Sequence, residues 1–169
     1  RAYRSDLLTR VTTARDYNLL LNGDEHWKLA QSARPDAEWA VDLPATPDYE
    51  THRTFLTPPL SRTGYYVILA SANKGFTKQL NRLSSVNFIL TDMVVLVRLR
   101  YSASDFEAQV VSGKTGRPIP DADVDLYQHD WNQCHHRLST LTTDANGLAR
   151  FRVTRSADRY SYSYFLVAR

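Results

Sequence analysis

The chain has 169 residues, a formal charge of +3 and a pI near 9.1, and is 43% hydrophobic and 23% charged. Such a chain buries a core in one ordinary domain or two small ones. Its basic residues are scattered with no run of five like charges, which argues against a nucleic-acid partner; no apolar run reaches the roughly 18 to 20 residues that cross a bilayer as a helix; and the one cysteine, Cys134, excludes an intrachain disulfide and a four-cysteine zinc site.

The chain opens at Arg1 with neither an initiator methionine nor a signal-peptide pattern, the expectation for a piece of a longer protein. Leu7, Leu8, Val11 and Ala14 fall at helical spacing after Ser5, a residue type suited to an N-cap. Tyr17 to Leu21 is an apolar run closed by Asn22-Gly23, which either ends a helix or turns a hairpin. Arg34-Pro35 stops whatever precedes it, because the residue before proline leaves the helical region.

From Asp36 the pattern becomes β. Trp39, Val41 and Leu43 alternate with Glu38, Ala40 and Asp42, which predicts a strand ending at Pro44, and a second strand is expected within Tyr49 to Leu56. Leu60 to Ser71 holds a turn glycine, Gly64, followed by Tyr65-Tyr66-Val67-Ile68, the clearest strand of this half. Asn73 to Arg82 reads as a loop, Val86 to Leu90 as a short strand, and Met93 to Tyr101 as a strand whose face of Met93, Val95, Val97, Leu99 and Tyr101 is expected to be buried throughout.

Phe106, Ala108 and Val110 alternate with Glu107 and Gln109, and Ala122, Val124 and Leu126 alternate with Asp121, Asp123 and Asp125. Between these runs Gly113 and Gly116 supply a tight reversal while Pro118 and Pro120 hold the chain extended, so the two strands are expected to pair as a hairpin with the three aspartates facing water. Residues 129 to 137 read as a polar loop, 138 to 142 as a brief strand and 144 to 147 as a turn; Ala149, Phe151 and Val153 alternate in a further strand. The last run, residues 160 to 168, puts Tyr160, Tyr162, Tyr164 and Leu166 on one face. Strands at intervals of roughly 8 to 12 residues separated by turn signals argue for sandwiches over α/β units.

Two stretches carry a family resemblance. Thr115-Gly116-x-Pro118-Ile119-x-x-Ala122-x-Val124-x-Leu126, with the later Thr143-Asp144-Ala145-Asn146-Gly147 turn, resembles the macroglobulin-type β-sandwich domains of bacterial alpha-2-macroglobulin-like proteins. Similar hairpins occur in the transthyretin-type regulatory domains of carboxypeptidases. Leu60-x-x-x-Gly64-Tyr65-Tyr66 is similar to a strand entry of macroglobulin domains. The resemblance implies an all-β architecture of two tandem macroglobulin-like or immunoglobulin-like β-sandwich domains over 36–92 and 93–169, after an N-terminal segment 1–35 that is helical or belongs to a preceding domain. It implies a non-catalytic scaffold piece of a protease-trapping protein, without a cofactor, whose partners are neighbouring macroglobulin domains and target proteases. It also implies a periplasmic or cell-envelope location, with a lipoprotein anchor elsewhere in the parent chain. The cysteine-x-glutamate-glutamine thioester of covalently reacting family members is missing, since Cys134 is followed by His135 and His136. The rival reading is a binding or adhesion module presenting loops or the tyrosine strand to a glycan or a protein.

Several clusters have residue types that could carry chemistry. His129, Asp130, Cys134, His135 and His136 crowd one loop, and His129, His135 and His136 are the metal-ligand candidates; adjacent His135 and His136 point apart in extended chain, which works against the roughly four ligands of a structural zinc site. Cys134 has no identifiable orienting group or oxyanion donor. Asp144-x-Asn146-Gly147 starts like a calcium loop, but its glycine stands fourth and Arg155 occupies the place of the bidentate glutamate. Asp121, Asp123 and Asp125 would share a strand face at spacings of roughly 7 Å, yet the wet face of a strand explains them. No phosphate loop, serine elbow or dinucleotide fingerprint is present. These residues therefore nominate neither a catalytic residue nor a cofactor site.

Overall fold

The computed structural model describes residues 1–13, 21, 24–48, 50–99, 105–129, 135–153 and 164–169. Among them are nine strands and two short helices, arranged in three antiparallel sheets of three strands each. The chain divides into two compact units, Arg1–Asp6 with Leu21–Leu90, and Leu7–Leu20 with Thr91–Arg169.

In the first unit, β1 (Ala2–Ser5), β2 (Gly64–Ser71) and β3 (Leu83–Leu90) form one sheet in that order. The aromatic and β-branched run in β2 explains its central place, since Tyr65 to Leu69 are buried on both faces. Ala2, Tyr66 and Ile68 make the core of one face, with Trp39, Leu60, Phe88 and Leu90 packed against it. Tyr65 and Asn87 are joined through the tyrosine hydroxyl at 2.8 Å, and the Tyr66 hydroxyl donates to the Arg62 carbonyl at 2.7 Å, so both buried phenols are satisfied.

Three expectations for this half are corrected. The strands expected at 39–43 and within 49–56 are absent among the described residues, which are irregular there apart from an isolated bridge between Ala2 and Ala37. The edge of β2 that could have received them is taken by Ala2–Ser5, in register with Ile68 to Tyr65, and Pro44, Pro47, Pro58 and Pro59 interrupt any other ladder. Ser5, expected as the cap of a helix, is instead the last residue of strand β1 (Ala2–Ser5). The helix at Leu7–Thr13 (α1) is present as its spacing predicts, and α2 (Glu25–Ser32) is additional to the expected elements. Residues 14–20 and 22–23, with Ala14 and the Asn22-Gly23 reversal, lie outside the described residues.

The second unit is a sandwich. One sheet has the order β4 (Met93–Leu99), β5 (Asp105–Ser112), β8 (Leu148–Arg152); the other has β7 (His136–Thr142), β6 (Asp123–Gln128), β9 (Tyr164–Ala168). Its core unites Ala108 and Val110 of β5, Val124 and Leu126 of β6, and Ala149 and Phe151 of β8, with Ala122 and Val153. Wholly buried valines such as Val110 and Val124 each contribute roughly 1.5 to 3 kcal/mol relative to exposure, and Phe106 stacks on Phe151 at 5.2 Å.

The hairpin expected between 106–110 and 122–126 does not form. Both strands exist, but β5 pairs with β4 and β8 while β6 pairs with β7 and β9. After the turn, in which Gly116 adopts φ +68°, the chain makes one bridge, Val111 to Pro118, and crosses to the other sheet. Pro118 and Pro120 cannot extend a ladder, and the apolar faces of β5 and β6 bury each other only when the strands face across a core instead of lying side by side. In β4, Met93 and Val95 pack against the core, but Val97, expected on the buried face, is 57% exposed. Tyr101 lies outside the described residues, and β7 begins at His136, two residues before the expected start.

The 144–147 turn is closed locally. The Asp144 side-chain Oδ1 accepts from the amides of Asn146 at 2.8 Å and Leu148 at 3.0 Å, and the Gly147 amide donates to the Asp144 carbonyl at 2.8 Å. Those two amides hold the Asp144 carboxyl below the usual carboxylate range. Because the folded value is depressed, the stabilisation is present in full above the unfolded carboxylate range and is lost as pH falls through the folded value. Thermal melts of the native chain and Asp144→Ala at a series of pH values are expected to show the native chain more stable near neutrality and the two curves converging in acid; a gap that persists in acid would contradict this.

Candidate functional site

The polar side chains of the second unit gather on the face of β6 that turns away from the core. Alternation puts Val124 and Leu126 inward, which directs Asp123, Asp125 and Tyr127 to the other face. That face was expected to be wet, and this too is corrected: Asp123 is half-buried, but Asp125 and Tyr127 have essentially no exposure. Strand β6 is the middle strand of its sheet, and both neighbours supply partners to it. Thr140 of β7 donates its hydroxyl to Asp125 Oδ1 at 2.5 Å. Arg169, just beyond β9, places Nε 3.4 Å from Asp125 Oδ2 and a terminal nitrogen 3.3 Å from Asp123, while Arg137 lies 3.8 Å from Asp125 Oδ1. Tyr127 stacks on Phe165 of β9 at 5.2 Å. Burial, and then the neighbouring Asp125 carboxylate, push the Tyr127 phenol up.

His129 and His135 lie at the end of this face. Both are buried, and their Nδ1 atoms are 3.1 Å apart. A hydrogen bond at that distance requires one Nδ1 to carry a proton and the other to accept it. The His135 ring also meets Phe165 edge-on at 5.1 Å. His136, the third metal-ligand candidate, is exposed at the start of β7 opposite Gln128. Thus the fold brings His129 and His135 together in a buried pair, while His136 is exposed on β7. Two converging nitrogens fall short of the roughly four ligands of a structural zinc site, and among the described residues no group of three His, Cys, Asp or Glu side chains could hold a metal. Asp130 and Cys134 lie outside the described residues, as do Tyr160 and Tyr162; Tyr164 is partly exposed on β9.

One pairing has no signal in the sequence. In the first unit, Ser85 Oγ of β3 lies 2.9 Å from His26 Nε2 of α2. The residues are far apart in sequence and neither stands in a known motif. A hydroxyl beside an imidazole begins a nucleophile–base arrangement, but no group orienting the ring and no oxyanion donor accompanies it among the described residues, so the contact serves to anchor α2 on the sheet. The aspartate, arginine, threonine and histidine cluster of the second unit has a similar chemical content. Its charges are neutralised within the cluster, and its geometry suits fixing three strands together.

No family model matches the chain, and no curated protein matches it. Among solved structures, native alpha-2-macroglobulin from Escherichia coli spanning domains NIE-MG1 is similar at 18% identity with a TM-score of 0.61, over 98% of this chain and 80% of that one. A longer piece of the same protein, spanning MG0-NIE-MG1, is 19% identical with a TM-score of 0.44; the match covers 64% of this chain and about a third (34%) of that one. The NIE-MG1 likeness establishes the fold: this chain is built as macroglobulin-type all-β domains are.

Proposed function

We propose that the chain is a non-catalytic scaffold segment of a bacterial alpha-2-macroglobulin-like protein, with its domain boundary near Thr91-Asp92, and that it takes part in trapping proteases at the cell envelope. The observation that carries the reading is the shared fold over 98% of the chain with the NIE-MG1 segment of a native alpha-2-macroglobulin. The internal neutralisation of the Asp125 cluster favours a structural role over a chemical one. On this reading the segment uses no metal and no cofactor, and its partners are neighbouring macroglobulin domains and the captured protease.

A capture assay on the full polypeptide that carries this segment tests the proposal. After incubation with an endoprotease, hydrolysis of a small peptide substrate is expected to continue while hydrolysis of a large protein substrate falls at least about tenfold, since enclosure excludes by size. Equal activity toward both substrates, with or without the polypeptide, would overturn it.

A further inference from the structure

Strand β4 ends its sheet: it pairs with β5 on one side, and among the described residues no strand lies on the other. The phase of its backbone follows from the ladder. The Gly113 amide donates to the Asp92 carbonyl in that ladder's register, so Asp92, Val94, Leu96 and Arg98 turn their backbone polar groups toward β5. Val95, Val97 and Leu99 turn theirs to the open edge, as does the Met93 carbonyl; the Met93 amide is taken by Thr91 Oγ1 at 3.0 Å. Such a row of donors and acceptors is a template for another strand, and edge strands are commonly blunted by charge, proline or a bulge. Two other end strands of the second unit follow that rule: β8 carries Arg150 and Arg152, and β7 carries His136, Arg137 and a register irregularity against β6. From Met93 to Leu99, β4 holds no proline, one charged residue (Arg98) and no irregularity against β5. Val94, Leu96 and Val97 are 41%, 52% and 57% exposed on it.

We propose that this edge pairs with the same edge of a second copy of the chain, antiparallel about a two-fold axis at Val95, so that one sheet runs through both copies. A two-fold contact must be self-complementary, and this register is. Val95 exchanges both backbone bonds with Val95 of the second copy, and each Val97 amide donates to the Met93 carbonyl across the axis. Met93 and Val95 pack against the core, so Val94, Leu96 and Arg98 share the outer face. There Val94 lies opposite Leu96 of the second copy, and Arg98 opposite Asp92. The two exposed apolar side chains cover each other, and the strand's one cation meets an anion instead of its like. Moving the axis to Leu96 would set Val94 opposite Arg98 and forfeit both matches. A slip of one residue would oppose outward-pointing backbone groups to inward-pointing ones. The pairing rests on this chain's own geometry and is independent of the protease-trapping reading.

The contact is one strand wide, in the class of interfaces below about 1,200 Å² that associate weakly, so the test runs to about 0.1 mM of the full polypeptide. Sedimentation is expected to show a reversible monomer-dimer equilibrium, with the Val95 and Val97 amides exchanging more slowly with solvent deuterium as concentration rises. Leu96→Lys is expected to weaken association about tenfold or more, since each substitution counts twice across the axis. Because Leu96 is half exposed in the single copy, the thermal midpoint of the monomer is expected to hold. Register is read by mixing Val94→Cys and Leu96→Cys copies under mild oxidation. Residues opposite each other without mutual backbone bonds stand roughly 4.5 Å apart at Cα, within disulfide reach. Mass spectrometry of the linked peptides is expected to find positions 94 and 96 joined. A monomer throughout, whether its β4 amides exchange freely or lie protected under another part of the polypeptide, would overturn the proposal. So would unchanged association in Leu96→Lys, or a link between two positions 96 as the main product.

Discussion

Replacing Gly147 by valine is expected to cost about 2 to 5 kcal/mol of stability, combining roughly 1 to 2 for a β-branched residue in the left-handed region with roughly 1 to 3 for a forced overlap. Gly147 has φ +70°, and a Cβ there would run into the Val110 carbonyl oxygen and press on Ile119 and Pro118 at 3.2 Å. The surrounding atoms are mostly backbone and cannot swing aside. They also belong to the crossing between the two sheets, where the Val110 amide donates to the Gly147 carbonyl and the Ile119 amide to the Val110 carbonyl. Gly116 provides the internal control. Its φ of +68° is nearly the same, but nothing lies within 4 Å of its added Cβ, so Gly116→Val is expected to lose only the conformational part. Urea unfolding of the two variants checks this, and equal losses would refute the close packing at Gly147.

The second large effect is expected at the buried carboxylate of β6. In the double variant Arg137→Ala with Arg169→Ala, Asp125 would keep one hydroxyl partner, Thr140, and no counter-charge. Stranding a buried charge costs about 3 to 5 kcal/mol. Both arginines are about half exposed, so removing them gives up little else of value. Adding Asp125→Asn to the double variant is expected to recover about 1 kcal/mol or more, because a neutral amide is cheaper to bury than an unpaired carboxylate. A double-variant loss below about 1 kcal/mol, or no recovery with asparagine, would show that the cluster is not held by charge.

These two positions also mark where sequence reading succeeds and where it stops. The turn at 144–147 was legible because Asp144 caps its own backbone and glycine suits a positive φ, both local facts. Strand β2 was legible from Gly64 followed by aromatic and β-branched residues. Strands β5 and β6 were legible as strands because alternation records which side chains share a face, yet it carries nothing about which strand lies alongside. The hairpin expectation failed on that distinction. Asp125 failed for a related reason: an aspartate alternating with valine and leucine reads as solvent-facing unless the arginines that cover it are known, and Arg137 and Arg169 arrive from two other strands. The pattern at Trp39, Val41 and Leu43 is that of a strand, but its edge was already taken by Ala2–Ser5. His26 and Ser85 meet only because α2 packs on β3. Of the three histidine candidates, the different exposure of adjacent His135 and His136 followed from strand alternation, whereas the approach of His129 to His135 did not.

On the proposed function, this segment acts through its folded β-sheet units and not through a reactive group of its own. The most direct measurement compares protease capture by full polypeptides carrying Gly147→Val, Ser85→Ala or His136→Ala, scored by the ratio of small-substrate to large-substrate hydrolysis. Capture is predicted to be lost in Gly147→Val at a temperature where the second unit has melted, and to be unchanged in Ser85→Ala and His136→Ala. Loss of capture in either of the latter two, with the thermal midpoint unaltered, would contradict it.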